Sequence, residues 1–439
     1  MNETYSKEDL LKLPFMNDDL ELEERVDDLL GRLTLEEKFS LCAGKWLFYA
    51  KKVKRLGIPY FKMTDGPHGV GATGTFFRGK YTAFPAAICR TATWNLDLAE
   101  KYGIYAGEEI RSIGRHCILG PGINIIRTPL CGRNFEYQTE DPYLNKTMAI
   151  PIIKGFQSQR VAACVKHYAA NNQEHNRFRV DAQISERALQ EIYLPAFEAT
   201  VREADVWSFM SCYNLVNGSY GSEHNDFLRK RLFDEWDFRG FICSDWFATK
   251  HMTRTDNAIK AGLTIEMPKA IVYKKKKLQK AIDTGKITED MINVNLKGLL
   301  RVMFLVGMFD DKASLPKGCK NTPKHQEIAR QIAEEGIVLL KNENNILPLN
   351  INDISKIAVI GPNAKKKHIF GGGSSMQRPK YEITPLKGFQ KRCKGRVKIT
   401  KNIADADVVI LVVGLNHKRH MDSENQDRFI LYGRCLRQL

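Results

Sequence analysis

The chain has 439 residues, 43% hydrophobic and 27% charged, which is enough for two or three domains with sizeable cores. Lys and Arg total 67 against 51 Asp and Glu, a formal charge of +16. The basic residues do not collect in one aromatic-interleaved block, since the clearest runs, lysines 274–277 and 365–367, are short. A solvated Lys-rich surface is therefore expected and a nucleic-acid partner is not.

The ten cysteines include no Cys-x-x-Cys pair. Cys164, Cys212 and Cys243 fall in or beside apolar runs and read as buried free thiols, not as a disulfide frame or a zinc site. That usage suits a reducing compartment. No basic stretch followed by an apolar one opens the chain, and no run is long and apolar enough to span a bilayer. A cytoplasmic location without a membrane partner is the expectation.

Taken in order, residues 1–21 form a polar extension. Leu22, Val26, Leu29, Leu30 and Leu33 recur at helical spacing. Thr34 and Glu37 then make a capping box for a second helix. Residues 58–64 read as a strand that exits at Asp65 into a Gly- and Pro-rich turn. A helix over 96–113 precedes a strand at 118–119, which enters a glycine-bent loop carrying Arg133. After a helix over 143–159 comes an apolar run, 161–165, ending at Lys166-His167. A long helix is predicted over 185–203, then a strand over 206–210 that leads to Ser211 and Tyr213. A helix over 226–235 precedes the strand 241–243, and a further short strand is expected over 262–268. A helix over 291–306 closes the region.

Strand and helix alternate at spacing suited to βα units. Several strands end in chemically useful groups: Asp65, Lys166-His167, Ser211 to Tyr213, and Asp245 with Trp246. In a (β/α)8 barrel the reactive groups gather at those strand ends. The expected class is therefore α/β, a TIM-type (β/α)8 barrel over 22–310. A linker over 311–324 follows, then a small α/β sandwich over 325–439 with strands at 336–340, 356–360, 397–400 and 408–413.

Asp245 is the candidate nucleophile. A carboxylate can attack an anomeric carbon while a second acid protonates the leaving oxygen. Lys166, His167 and Arg177 would favour its ionised form. Trp246 offers a face for a sugar ring, and Asp65, Arg133, Lys166 and His167 offer donors and acceptors to an uncharged, hydroxyl-rich ligand. His167 and His175 do not have the spacing of a zinc-binding His-Glu-x-x-His helix. The run Gly371-Gly372-Gly373-Ser374-Ser375 lacks the lysine of a phosphate-binding loop and reads as a flexible loop over a neighbouring pocket.

In combination these stretches resemble glycoside hydrolase family 3, the β-glucosidase group. The carriers are Leu33-Thr34-Leu35-Glu36-Glu37-Lys38, Asp65-Gly66-Pro67-His68-Gly69-Val70, Gly132-Arg133-Asn134-Phe135-Glu136, Lys166-His167-Tyr168, Ser185-Glu186-Arg187, Tyr213-Asn214 and Ser244-Asp245-Trp246. The resemblance implies a barrel followed by an α/β sandwich, and an exo-acting retaining β-glucosidase that takes small β-glucosides or oligosaccharides. It implies Asp245 as nucleophile and Glu424, in Glu424-Asn425-Gln426-Asp427-Arg428, as general acid/base. It also implies a sugar subsite of Asp65, Arg133, Lys166, His167, Arg177, Met210, Tyr213, Trp246 and Ser374, with no cofactor or metal.

Three departures stand out. Gly71 occupies a position that is usually Arg, so one sugar contact is expected to be missing. No carbohydrate-binding insertion lies between Ser375 and the strand at 408. The chain ends soon after Arg428, so a shortened sandwich and weakened solubility or activity are expected. The rival readings are a β-xylosidase or other exo-β-glycosidase of the same family, and a catalytically impaired sugar-binding relative.

Overall fold

The computed structural model describes residues 5–76, 78–251, 254–369, 373–415 and 424. Its strands in chain order are β1 (Gly44–Lys45), β2 (Tyr49–Ala50), β3 (Phe61–Asp65), β4 (Cys117–Leu119), β5 (Ala162–Tyr168), β6 (Asp181–Ala182), β7 (Ser208–Ser211), β8 (Leu215–Val216), β9 (Ser219–Tyr220), β10 (Phe241–Ser244), β11 (Lys356–Ile360), β12 (Lys398–Thr400) and β13 (Val408–Leu411).

Seven strands form one sheet in the order β1-β2-β3-β4-β5-β7-β10. From β3 to β10 every pairing is parallel, whereas β2 runs antiparallel to both of its neighbours. The segment expected as a strand over 262–268 closes the ring with isolated bridges in place of a ladder. Ile265 pairs with Cys243 on one side, and Glu266 with Ala43 on the other. Ser244 N–H donates to Ile265 C=O at 3.0 Å, and Gly44 N–H to Glu266 C=O at 2.9 Å. The barrel is thus TIM-like and closed, with a short β-hairpin standing where a βα unit would be.

β5 is buried at every residue, as befits a strand covered on both faces. Ile118, Val165, Phe209 and Ile242 are wholly buried on neighbouring strands and share one core with the surrounding helices. Each such side chain contributes ~1.5–3 kcal/mol by leaving water. The helix Leu22–Arg32 and the Thr34/Glu37 capping box occur as read, with Thr34 N–H 3.0 Å from Glu37 Oε2. The predicted helix over 185–203 is broken. A π-helical turn, Leu189–Tyr193, runs into a separate helix, Pro195–Arg202. Pro195 has no N–H to continue the earlier ladder, so a new first turn starts there. Every described cysteine is a free thiol, including Cys164 and Cys243, whose sulfurs lie 3.7 Å apart.

The second lobe is built on a three-stranded parallel sheet, β12-β11-β13, backed by the helix Pro385–Cys393. The expected strand over 336–340 is absent. Ile337 to Leu340 are exposed, Leu340 to 92%. Among the described residues no strand lies beside this apolar run, so it has no ladder to join. The lobe is tied to the barrel by backbone: Ala72 N–H donates to Met376 C=O at 2.7 Å, and Tyr81 N–H to Arg378 C=O at 3.1 Å. These bonds hold residues 373–379 against the open end of the barrel. Among the described residues, no helix is long and apolar enough to cross a membrane.

Candidate active site

A pocket of ≈ 480 Å³ opens where the parallel strands end, beneath the 373–379 segment. All eleven residues proposed from the sequence line it: Asp65, Arg133, Lys166, His167, Arg177, Met210, Tyr213, Asp245, Trp246, Ser374 and Glu424. Sequence reasoning missed Leu47, Phe48, Thr73, Phe76, Phe178 and Phe247, which also line it. They sit in irregular loops, where neither periodicity nor strand termination gives a signal.

Asp65 is the last residue of β3 and Asp245 the first after β10, so parallel strand ends deliver both carboxylates to one rim. Lys166 and His167 are consecutive on β5, yet both line the pocket. The pairing of β5 with β7 is irregular between Val165 and Tyr168, which breaks the usual alternation of faces. Arg133 arrives on the long loop after β4. That loop is anchored to β5 by Ile123 N–H donating to Lys166 C=O at 2.7 Å.

A buried charge network holds the cations. Glu136 stands 2.7 Å from Arg133 Nη2 and 2.9 Å from Lys166 Nζ, all three shut off from solvent. Burial alone would raise the Glu136 carboxyl, but the two cations hold it down to about 2. Arg177 pairs with Glu174 at 2.9 Å and lies 4.1 Å over the Tyr213 ring.

His167 is neutral, because burial and the cations Arg133, Lys166 and Arg177 push its pKa well below the ordinary value. The Tyr137 hydroxyl lies 3.0 Å from Nδ1 and accepts from Asn171 Nδ2 at 3.1 Å. Tyr137 therefore donates to Nδ1, which assigns the imidazole proton to Nε2, 3.3 Å from Asp245 Oδ2. That approach is off the line of a full hydrogen bond. Asp245 Oδ1 accepts from the Trp246 backbone N–H at 2.6 Å, and the Tyr213 hydroxyl adjoins the same carboxylate.

The positive neighbours do act on Asp245 as expected, but burial outweighs them. Its pKa is pushed up to about 6 against the pull of Arg133, Arg177 and Lys166. Asp65 is pushed up to about 7 by burial, against Lys166 and the Thr73 hydroxyl, which donates to Oδ2 at 2.6 Å. Thr73 belongs to the loop that carries Gly71. A side chain at Gly71 would meet the Asp65 carbonyl oxygen at 2.5 Å, so this loop path admits none.

Glu424 comes from the second lobe. Its Oε1 accepts from Ser374 Oγ at 2.5 Å and lies 3.2 Å from Arg133 Nη2. Gly373, at φ 56°, makes room: a Cβ there would stand 2.3 Å from Glu424 Oε2. Burial works to raise the Glu424 carboxyl, but Arg133, Arg177 and Ser374 hold it net below its usual value. The rest of the Glu424 motif, 425–428, and Gly371-Gly372 lie outside the described residues.

Comparison with known proteins agrees with this architecture. The model for the glycosyl hydrolase family 3 N terminal domain matches residues 41–302, and that for the family's C-terminal domain matches 337–433. The chain is 42% identical over 361 residues to thermostable β-glucosidase B of Acetivibrio thermocellus, covering 81% of this chain and 47% of that protein. It is 38% identical over 398 residues to a β-glucosidase of Rhizobium radiobacter, covering 90% and 47%. The structure of β-glucosidase 3B from Thermotoga neapolitana in complex with glucose superposes with a TM-score of 0.83 at 34% identity, covering 93% of this chain and 64% of that one. The chain spans about half the length of the curated relatives it matches.

Proposed function

Since the chain belongs to glycosyl hydrolase family 3, we propose that it is an exo-acting retaining β-glucosidase whose nucleophile is Asp245 and whose acid/base is Glu424. The observation that carries this reading is the meeting of those two acids, one from each lobe, in a single pocket with the buried cations Arg133, Lys166 and Arg177. Relatives named β-glucosidase and a related structure in complex with glucose support glucose as the terminal sugar.

In this mechanism Asp245 attacks the anomeric carbon while Glu424 gives its proton to the glycosidic oxygen. A covalent glycosyl-enzyme forms and the aglycone leaves. Glu424, now ionised, takes a proton from water, which attacks the same carbon and frees Asp245. The Trp246 N–H fixes one Asp245 oxygen and leaves the other for attack. Neutral His167, with its proton on Nε2, can donate to a sugar hydroxyl or to Oδ2 without adding charge. The buried Trp246 indole N–H has no acceptor among the described residues, and a ligand hydroxyl would supply one.

The sugar-free pocket holds the two acids in the wrong order for turnover. Glu424 is depressed by Arg133, whereas Asp245 is raised by burial. Sugar hydroxyls that take over Arg133 would release Glu424, and burial would then raise it toward a working general acid. Paired kinetics of the purified chain on aryl β-glucoside and aryl β-xyloside test the reading. Preference for glucoside supports it, preference for xyloside moves it to β-xylosidase, and binding without turnover leaves a sugar-binding relative.

A further inference from the structure

Outside the pocket, one cluster brings together a histidine, a cysteine and a carboxylate from two separate parts of the chain. His325 opens the helix Pro323–Glu335, Cys319 lies just before it, and Glu108 projects from the helix Leu96–Ser112 of the barrel. His325 Nε2 is 2.9 Å from Glu108 Oε2 and 3.7 Å from Cys319 Sγ, and Sγ is 3.0 Å from the same carboxylate oxygen. We infer that Glu108, Cys319 and His325 form a binding site for a borderline divalent cation of the zinc class, which clamps the segment between the lobes to the barrel.

Three features carry this. First, the donor set fits in type and spacing. Bonds of ~2.0 Å to N and O and ~2.3 Å to S place tetrahedral ligand atoms roughly 3.3–3.6 Å apart, within about 0.5 Å of the distances observed. Second, the histidine is already oriented from behind. Its Nδ1 lies 3.1 Å from Glu109 Oε1, and Glu109 is wholly buried. The backbone N–H groups of Thr82 and Asn321 and the Thr82 hydroxyl all donate to that Glu109 carboxylate. A carboxylate on the far nitrogen of a ligating histidine fixes the tautomer and raises ligand basicity. Third, Gly318 seats the cysteine. At φ 67° its backbone rests on the helix, and a Cβ there would stand 2.3 Å from the Glu108 carbonyl oxygen.

As ligands, His325 would be a neutral imidazole and Cys319 a thiolate, so binding would be linked to proton release. A tetrahedral ion held by these three ligands would leave its fourth position to water.

The test is a titration of the full chain with Co²⁺ and then Zn²⁺ under reducing conditions. One equivalent of Co²⁺ should bind and give a thiolate-to-cobalt charge-transfer band, which Zn²⁺ abolishes. Cys319 is exposed, so Cys319→Ser should fold normally, lose the band and weaken binding. Glu109→Gln should keep the band but weaken the affinity ~10–100-fold. Hydrolysis of aryl β-glucoside by Cys319→Ser should stay within twofold of the parent. Absence of stoichiometric binding by the parent chain, or a band and affinity unchanged in Cys319→Ser, overturns the proposal.

Discussion

The guanidinium of Arg133, on a barrel loop, stands 3.2 Å from the carboxylate of Glu424, on the second lobe. This contact joins the two halves of the pocket by charge, and it lowers the pKa of the group proposed to be the acid. The protonation behaviour of the protein follows from it.

The first consequence is a pH profile. For the free enzyme, kcat/KM should rise through the depressed pKa of Glu424 and fall through that of Asp245, near pH 6. These limbs belong to the pair, since the productive form has one proton shared between two acids. In the kcat profile, which reports the sugar complex, the falling limb should lie at higher pH because sugar has displaced Arg133 from Glu424. Measurement of both profiles from pH 4 to 9 checks this, and superimposable bells would contradict it.

Ser374 isolates one part of that effect. Its hydroxyl donates to Glu424 at 2.5 Å, and a hydrogen bond to a charged group contributes ~1.5 kcal/mol or more. Ser374→Ala should therefore raise the lower limb of kcat/KM by about one pH unit, since one unit corresponds to ~1.4 kcal/mol. The upper limb, set by Asp245, should stay within about 0.3 of its parent position. A downward shift of the lower limb would show that the hydroxyl does not favour the ionised carboxylate.

Asp65, which lines the pocket, is held there at a cost in stability. Burial raises its pKa to about 7 in the folded state, whereas the unfolded value is near 3.8. Between those values the folded chain holds the extra proton, so stability falls as pH rises through the window and the penalty is complete above it. Asp65→Asn carries no charge at any pH. Its melting temperature should exceed that of the parent at pH 8, on the order of 2 °C for each kcal/mol relieved, and match it near pH 4. Affinity for glucose should drop in the same variant. Calorimetry at the two pH values measures the difference.

Glu136 acts in the opposite sense. Glu136→Gln leaves Arg133 and Lys166 buried without their shared counter-charge, and breaking a buried pair costs ~3–5 kcal/mol. Urea unfolding should show that loss, with a KM increase for whatever enzyme remains folded. A change below ~1 kcal/mol would mean that Glu174 and Glu424 can replace the lost partner.

Much of this site was legible because barrel strands end in polar residues. Asp65, Lys166-His167 and Asp245 each follow an apolar run, and parallel pairing brings those ends together. Glu424 carried no local signal and was found only through its family motif. The supporting carboxylates were not singled out, because a buried acid such as Glu136 or Glu174 looks like any surface acid until its cations are placed. The second lobe was the hardest to read. The run 336–340 has strand composition, but a strand is defined by its neighbour, and that lies beyond the reach of local pattern. The segment expected as a strand over 262–268 is a milder case of the same kind, pairing through single bridges at Ile265 and Glu266 in place of a ladder.

The central claim is that Asp245 forms a covalent bond to the sugar. Intact-mass and peptide mass spectrometry of the protein, quenched while it turns over a slow 2-fluoro-glucoside, tests this most directly. The account predicts one glycosyl adduct on the peptide containing Asp245, absent in Asp245→Asn. Turnover of the substrate with no adduct, or an adduct located on another carboxylate, would contradict it.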